Sequence, residues 1–144
     1  MHRMKIKITY RFIKKVQLIL AFLIAITAMI GGTGLALTNG LGMNTEILEP
    51  TPFSSFIIPG LILAGIVGGT HILAFYYVIK KKNDAQFFAA VAGFGLIIWL
   101  FVEVYWLLNT SPLQPVYFAF GILELMCVLG LKDIAPWLTD DKIK

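Results

Sequence analysis

Three side chains able to hold or pass a proton stand inside long apolar runs of this chain: Glu103 in WLFVEVYWLL, Glu124 in FGILELMCV and His71 in GGTHILAFYYVIKKK. An ionisable residue in hydrocarbon costs about 2.5–3.5 kcal/mol on insertion scales, so such residues face protein or water and often mark an ion or proton path. Two uses fit these three. One is a relay from Glu103 through Glu124 to His71, descending from one membrane face to the other. The other is a set of hydrogen-bonded ties between helices. No Lys or Arg lies within the apolar runs, so neither acid has a fixed positive partner there. A neutral acid can then donate to a helix carbonyl or to another side chain.

Other chemistries find little support. One deep histidine and two acids at different depths make a poor metal set, and paired-histidine haem ligation would have to recruit His2 near the amino terminus. No metal and no cofactor are therefore expected. Cys127 is the single cysteine, so no internal disulfide can form and it reads as a buried, inert thiol. No nucleophile with its base and no phosphate-binding loop is visible, which argues against an enzyme.

The elements that position these groups follow from composition. Of 144 residues, 58% are hydrophobic and 14% charged, with a mean hydropathy of +0.83. A water-soluble domain is nearer half apolar and a quarter charged, so the expected class is an integral membrane protein. A bilayer core of about 30 Å needs about 20 helical residues. Four segments meet that length, approximately Val16 to Leu37, Phe56 to Ile79, Phe87 to Leu108 and Leu113 to Leu131. Backbone groups in lipid must be satisfied within each segment, and four strands could not close a barrel. The expectation is an all-α, four-transmembrane-helix bundle forming one domain over residues 1–144.

Charge orients it. All twelve Lys and Arg precede the first span, lie in the KKK loop between the second and third, or follow the fourth. Positive residues beside spans are retained inside, which places both termini and Lys80 to Lys82 in the cytoplasm, with Thr38 to Pro52 and Asn109 to Ser111 outside. The formal charge of +4 is thereby a topology signal, and no nucleic-acid partner is expected. The apolar core of the first span exceeds the 7 to 15 residues or so of a signal peptide, and no clear A-x-A site follows it.

Helical spacing puts Gly95, Trp99, Glu103, Trp106 and Thr110 on one stripe of the third span, and Gln114, Tyr117, Gly121 and Glu124 on one stripe of the fourth. Glu124 falls near the midplane, Glu103 in the outer third and His71 in the inner half of the second span. Small residues permit close helix contact in lipid. Gly65 and Gly69 form a G-x-x-x-G pair, with Ala64 and Gly68 one residue earlier. Gly31 and Gly32 extend an alanine stripe of the first span, and Gly121 serves the fourth. These are expected to pack the bundle. Pro59 and Gly60 stand at the start of the second span, where Ser54 or Ser55 can cap the free amides. Phe53 and Phe56 with Glu46 and Glu49 offer an outer lid. Tyr10, Tyr76, Tyr77, Trp106, Tyr117 and Trp137 read as interfacial anchors, and the basic amino-terminal segment suits an anionic inner leaflet.

The segments TPFSSFIIPG, GGTHILAFYYVIKKK, IIWLFVEVYWL and LQPVYFAFGILEL together resemble a group of small four-helix prokaryotic membrane proteins without an assigned activity. The resemblance covers most of the chain from the second span onward and implies the fold, with no reaction attached. Small multidrug transporters are also four-helix proteins with a membrane carboxylate, but theirs is in the first helix. The first span here has none, so that site does not carry over. The expected function is a noncatalytic structural or accessory protein in the plasma (inner) membrane of a prokaryote. Its partners would be the lipid bilayer and a second copy or another membrane protein. The alternative is a small proton-coupled carrier using Glu103 and Glu124.

Overall fold

A computed structural model describes residues 9–107 and 111–132. Thr110 of the expected third-span stripe, the third-span end at Leu108, the Asn109 to Thr110 link, the anchor Trp137 and the first eight residues lie outside that range. Four helices are long and apolar enough to cross a membrane: Tyr10–Thr38, Ile57–Ile79, Ala85–Trp106 and Leu113–Leu131. Only 28–33% of the most apolar window of each is buried. The large side chains left outside, among them Ile30, Phe94, Ile98 and Phe101, form an apolar coat that water would not tolerate.

The first helix begins six residues before its expected start, because the basic run Arg11, Lys14 and Lys15 continues the helix. At about 1.5 Å per residue its 29 residues are about 43 Å long, enough to carry those cations beyond a hydrocarbon core. It ends at Asn39 in the left-handed conformation. The side chain of Asn39 then accepts the Phe56 amide at 2.9 Å, tying the exit of the first helix to the entrance of the second. The entrance has no side-chain cap, so neither Ser54 nor Ser55 takes the expected role, and Asn39 instead holds the amide of Phe56, the residue just before the helix. Between them a short 3-10 turn, Thr45–Leu48, folds the loop over the bundle end.

The helices form a closed square in which consecutive helices pack on one another and the first also meets the fourth. The first and second approach most closely. A Cβ on Gly32 would come within 2.5 Å of the Gly60 carbonyl oxygen and the Ala64 amide, and one on Gly68 within 2.9 Å of Met29. Third and fourth meet through Gly121, whose Cβ would strike Ile97 at 2.9 Å, and through Gly93 against Leu125 and Glu124.

This corrects the expected packing set. Gly32 and Gly121 lie at contacts, whereas a Cβ on Gly31, Gly65 or Gly69 meets nothing within 4 Å. The contact uses the register one residue earlier, Ala64 and Gly68, which leaves the G-x-x-x-G pair turned away from the bundle. The second helix also contains a π-helical stretch, Leu63–Gly68, where the backbone widens to i→i+5 pairing.

Candidate functional site

Three of the four buried polar side chains, Gln17, His71 and Glu124, are paired across the square, and the fourth, Gln114, bonds near the start of its own helix. His71 and Glu124, 0% and 2% exposed, join the second helix to the fourth, with His71 Nε2 3.0 Å from Glu124 Oε2. Gln17 joins the first helix to the third through a reciprocal amide pair with Gln86: Gln17 Nε2 donates to Gln86 Oε1 at 2.8 Å, and Gln86 Nε2 returns to Gln17 Oε1 at 3.1 Å. Second with fourth and first with third are the two diagonals of the square, whose backbones stay apart. Each diagonal is therefore bridged by one hydrogen-bonded pair. Among the described residues no buried side-chain nitrogen or oxygen is without a partner.

The side chains just after the π-helical stretch bond back to its carbonyls, and this aims His71. Thr70 Oγ1 donates to the Ile66 carbonyl at 2.7 Å, and His71 Nδ1 lies 2.6 Å from the Val67 carbonyl. A carbonyl can only accept, so Nδ1 carries a proton and the ring is held with Nε2 toward Glu124. The remaining contact needs one more proton, on Glu124 or on Nε2. In either form the pair has zero net charge, which suits a low-dielectric interior.

Depth along the axis separates Glu103 from this pair. Gly93 is level with Glu124, and Glu103 lies ten residues further along the third helix, about 15 Å away. Gln114, ten residues before Glu124 on the antiparallel fourth helix, reaches the same level. Between the two levels stands an apolar cluster of Ile24, Ala28, Val67, Leu96 and Leu100. The expected descending series Glu103, Glu124, His71 is thus altered: His71 and Glu124 share one level, and no hydrogen bond among the described residues links Glu103 to them.

Glu103 instead faces empty space at the end of the bundle remote from the lysines. It lines a cavity of about 330 Å³ roofed by the loop after the first helix, and a second of about 190 Å³ that extends down to Val67. Trp99, Ser111 and Gln114 line both. Trp106 belongs to the wall of the larger cavity, a duty beyond interfacial anchoring, and Tyr117 lines the smaller one against the apolar cluster. Gln114 Oε1 accepts the Ser111 amide at 3.1 Å, which turns its NH₂ away from Ser111. Phe53 and Phe56 sit in the chamber roof and wall, while Glu46 and Glu49 are on the exposed loop above.

Cys127 is buried, with no second cysteine to pair with. Among the described residues no three His, Cys, Asp or Glu side chains gather where a metal ion would sit. Gln17 and Gln86 were not singled out in the sequence, although each continues a small-residue stripe, Gln17 with Ala21 and Ala28, Gln86 with Ala89 and Gly93. That was the available signal. Compared with known proteins, the chain matches no family model, no curated protein and no solved structure.

Proposed function

We propose that this chain is a noncatalytic multi-pass membrane protein, a structural or accessory component whose interhelical polar pairs hold four helices in one arrangement. The observation that carries this reading is the pair of diagonal ties made by His71 with Glu124 and by Gln17 with Gln86. Interhelical hydrogen bonds in a bilayer contribute about 0.6 kcal/mol on average. Their greater effect here is on specificity, since a slipped or reordered bundle leaves an imidazole, a carboxyl and two amides without partners.

The lysine-rich ends support an orientation with both termini in the cytoplasm, and the resemblance to small prokaryotic membrane proteins supports the plasma (inner) membrane. The lipid bilayer is the first partner. Gly65 and Gly69 leave room on the outer surface for another helix, from a second copy or another membrane protein.

One observation favours a carrier as the second reading: Glu103 lines the smaller cavity, which extends to Val67, the residue whose carbonyl holds His71. Proton movement into liposomes separates the two. A structural bundle gives no flux above protein-free vesicles, whereas a carrier gives flux that Glu103→Gln or Glu124→Gln removes.

A further inference from the structure

The chamber around Glu103 has a composition that the diagonal ties do not explain. Its wall is mostly apolar and carries four aromatic rings, Trp99 and Trp106 from the third helix, Phe56 at the entrance of the second, and Phe53, which closes it from the loop. One carboxyl group, Glu103, is set into that wall. A half-buried acid in an apolar pocket carries a cost unless something of opposite charge or a donor meets it.

Among the described residues no Lys or Arg supplies such a charge. Every Lys and Arg lies at positions 3–15, 80–82, 132, 142 or 144, all before the first helix or in its opening turns, at the opposite end of the bundle, or in the tail after the fourth helix. The loop above the chamber adds Glu46 and Glu49 and no cation. This end of the bundle is consequently acidic, over a cavity of about 330 Å³. Pockets for small organic molecules are of about 300–1,000 Å³, mostly apolar, with a few placed polar groups.

We propose that this chamber binds a monovalent organic cation, an ammonium or guanidinium head on an apolar body, with Glu103 as its counter-ion. The head sits at the carboxylate, and the faces of Trp99 and Trp106 provide the cation–π surface that such groups favour. Gln114 is the positioning residue. Its carbonyl is fixed by the Ser111 amide, so its NH₂ serves the chamber side, where Glu103 is the acceptor at the same level. The smaller cavity, leading down to Leu96 and Val67 past Tyr117, accommodates the apolar body. An anion meets the carboxylate unfavourably, and a neutral molecule of the same shape leaves it with no counter-charge.

The test uses the full-length protein in lipid nanodiscs, with benzyltrimethylammonium as probe and its neutral analogue, carbon in place of nitrogen, as control. Calorimetry and tryptophan fluorescence follow binding to the parent and to Glu103→Gln, whose fold is checked by circular dichroism. The expected result is saturable binding of the cation to the parent and about a tenfold weaker Kd in Glu103→Gln, with the neutral analogue equally weak for both. Should Glu103→Gln fail to fold, Glu103→Asp takes its place and is expected to keep the preference for the cation. Equal binding of cation and neutral analogue would show an apolar site suited to a lipid chain and overturn the proposal. So would a Glu103→Gln variant that binds the cation as the parent does, or the absence of saturable binding to the parent. None of these outcomes depends on proton flux, so the site stands or falls apart from the structural reading above.

Discussion

His71 Nε2 and Glu124 Oε2 lie 3.0 Å apart on two helices that are diagonal in the bundle, and a single proton must lie between them because His71 Nδ1 is already committed to the Val67 carbonyl. The spectroscopic consequence is direct. Nitrogen-15 spectra of the imidazole should show Nδ1 protonated wherever the protein is folded. A spectrum with Nδ1 unprotonated would place the ring differently and break the tie.

Removing one partner of this pair should cost more than replacing it. Glu124→Gln keeps a donor for Nε2 and is expected to unfold in detergent close to the parent. Glu124→Leu leaves a buried imidazole nitrogen unsatisfied and should lose about 1–3 kcal/mol. The double variant His71→Leu with Glu124→Leu should lose less than the two single losses added, as residues in contact do. Strict additivity in this cycle would show that the two side chains do not interact.

The Gln17 and Gln86 pair should behave alike at its own level. Gln86→Leu strands the Gln17 amide, which is 1% exposed, and is expected to cost about 1 kcal/mol or more. Stability is read from reversible unfolding in mixed micelles. Gln86→Glu keeps one acceptor and should fall between parent and leucine variant.

Glycine substitutions separate the two registers of the second helix. Gly60→Leu and Gly32→Leu insert side chains where a Cβ already lies within 2.5 Å of backbone, so both should abolish folding or lower the melting temperature strongly. Gly65→Leu and Gly69→Leu enter open space and should leave the isolated bundle as stable as the parent. Cross-linking of the same two variants reports whether a second copy uses that face.

Orientation is checked by cysteine labelling in a Cys127→Ala background. Asn44→Cys, in the loop after the first helix, should react with an impermeant reagent on intact cells. Asn83→Cys, beside Lys80 to Lys82, should react only after the membrane is opened. Labelling of Asn83→Cys on intact cells would reverse the topology.

Much of the architecture was legible because span length and hydropathy are properties of single segments. The fourth helix appeared at its expected bounds, Leu113–Leu131, and the second within a residue of them. What stayed hidden depends on two helices at once. Ala64 with Gly68 and Gly65 with Gly69 have identical spacing, and only the neighbouring Gly32 and Met29 select the first pair. Likewise, the shared level of His71 and Glu124 is set by the relative height of second and fourth helices, which no one segment encodes. The π-helical stretch compounds this, since widening the backbone over Leu63–Gly68 turns the following His71 toward the fourth helix. Gln17 and Gln86 sit near helix starts beside basic residues, where an amide looks like part of a wet boundary.

The most direct measurement of the structural reading is proton movement in liposomes that enclose a pH-sensitive dye and hold an imposed gradient, comparing the parent with Glu103→Gln and Glu124→Gln. The predicted result is that all three proteins fold, and that none moves protons faster than protein-free vesicles. Flux through the parent that disappears in either variant would contradict the account, turning the midplane tie or the chamber acid into part of a proton path.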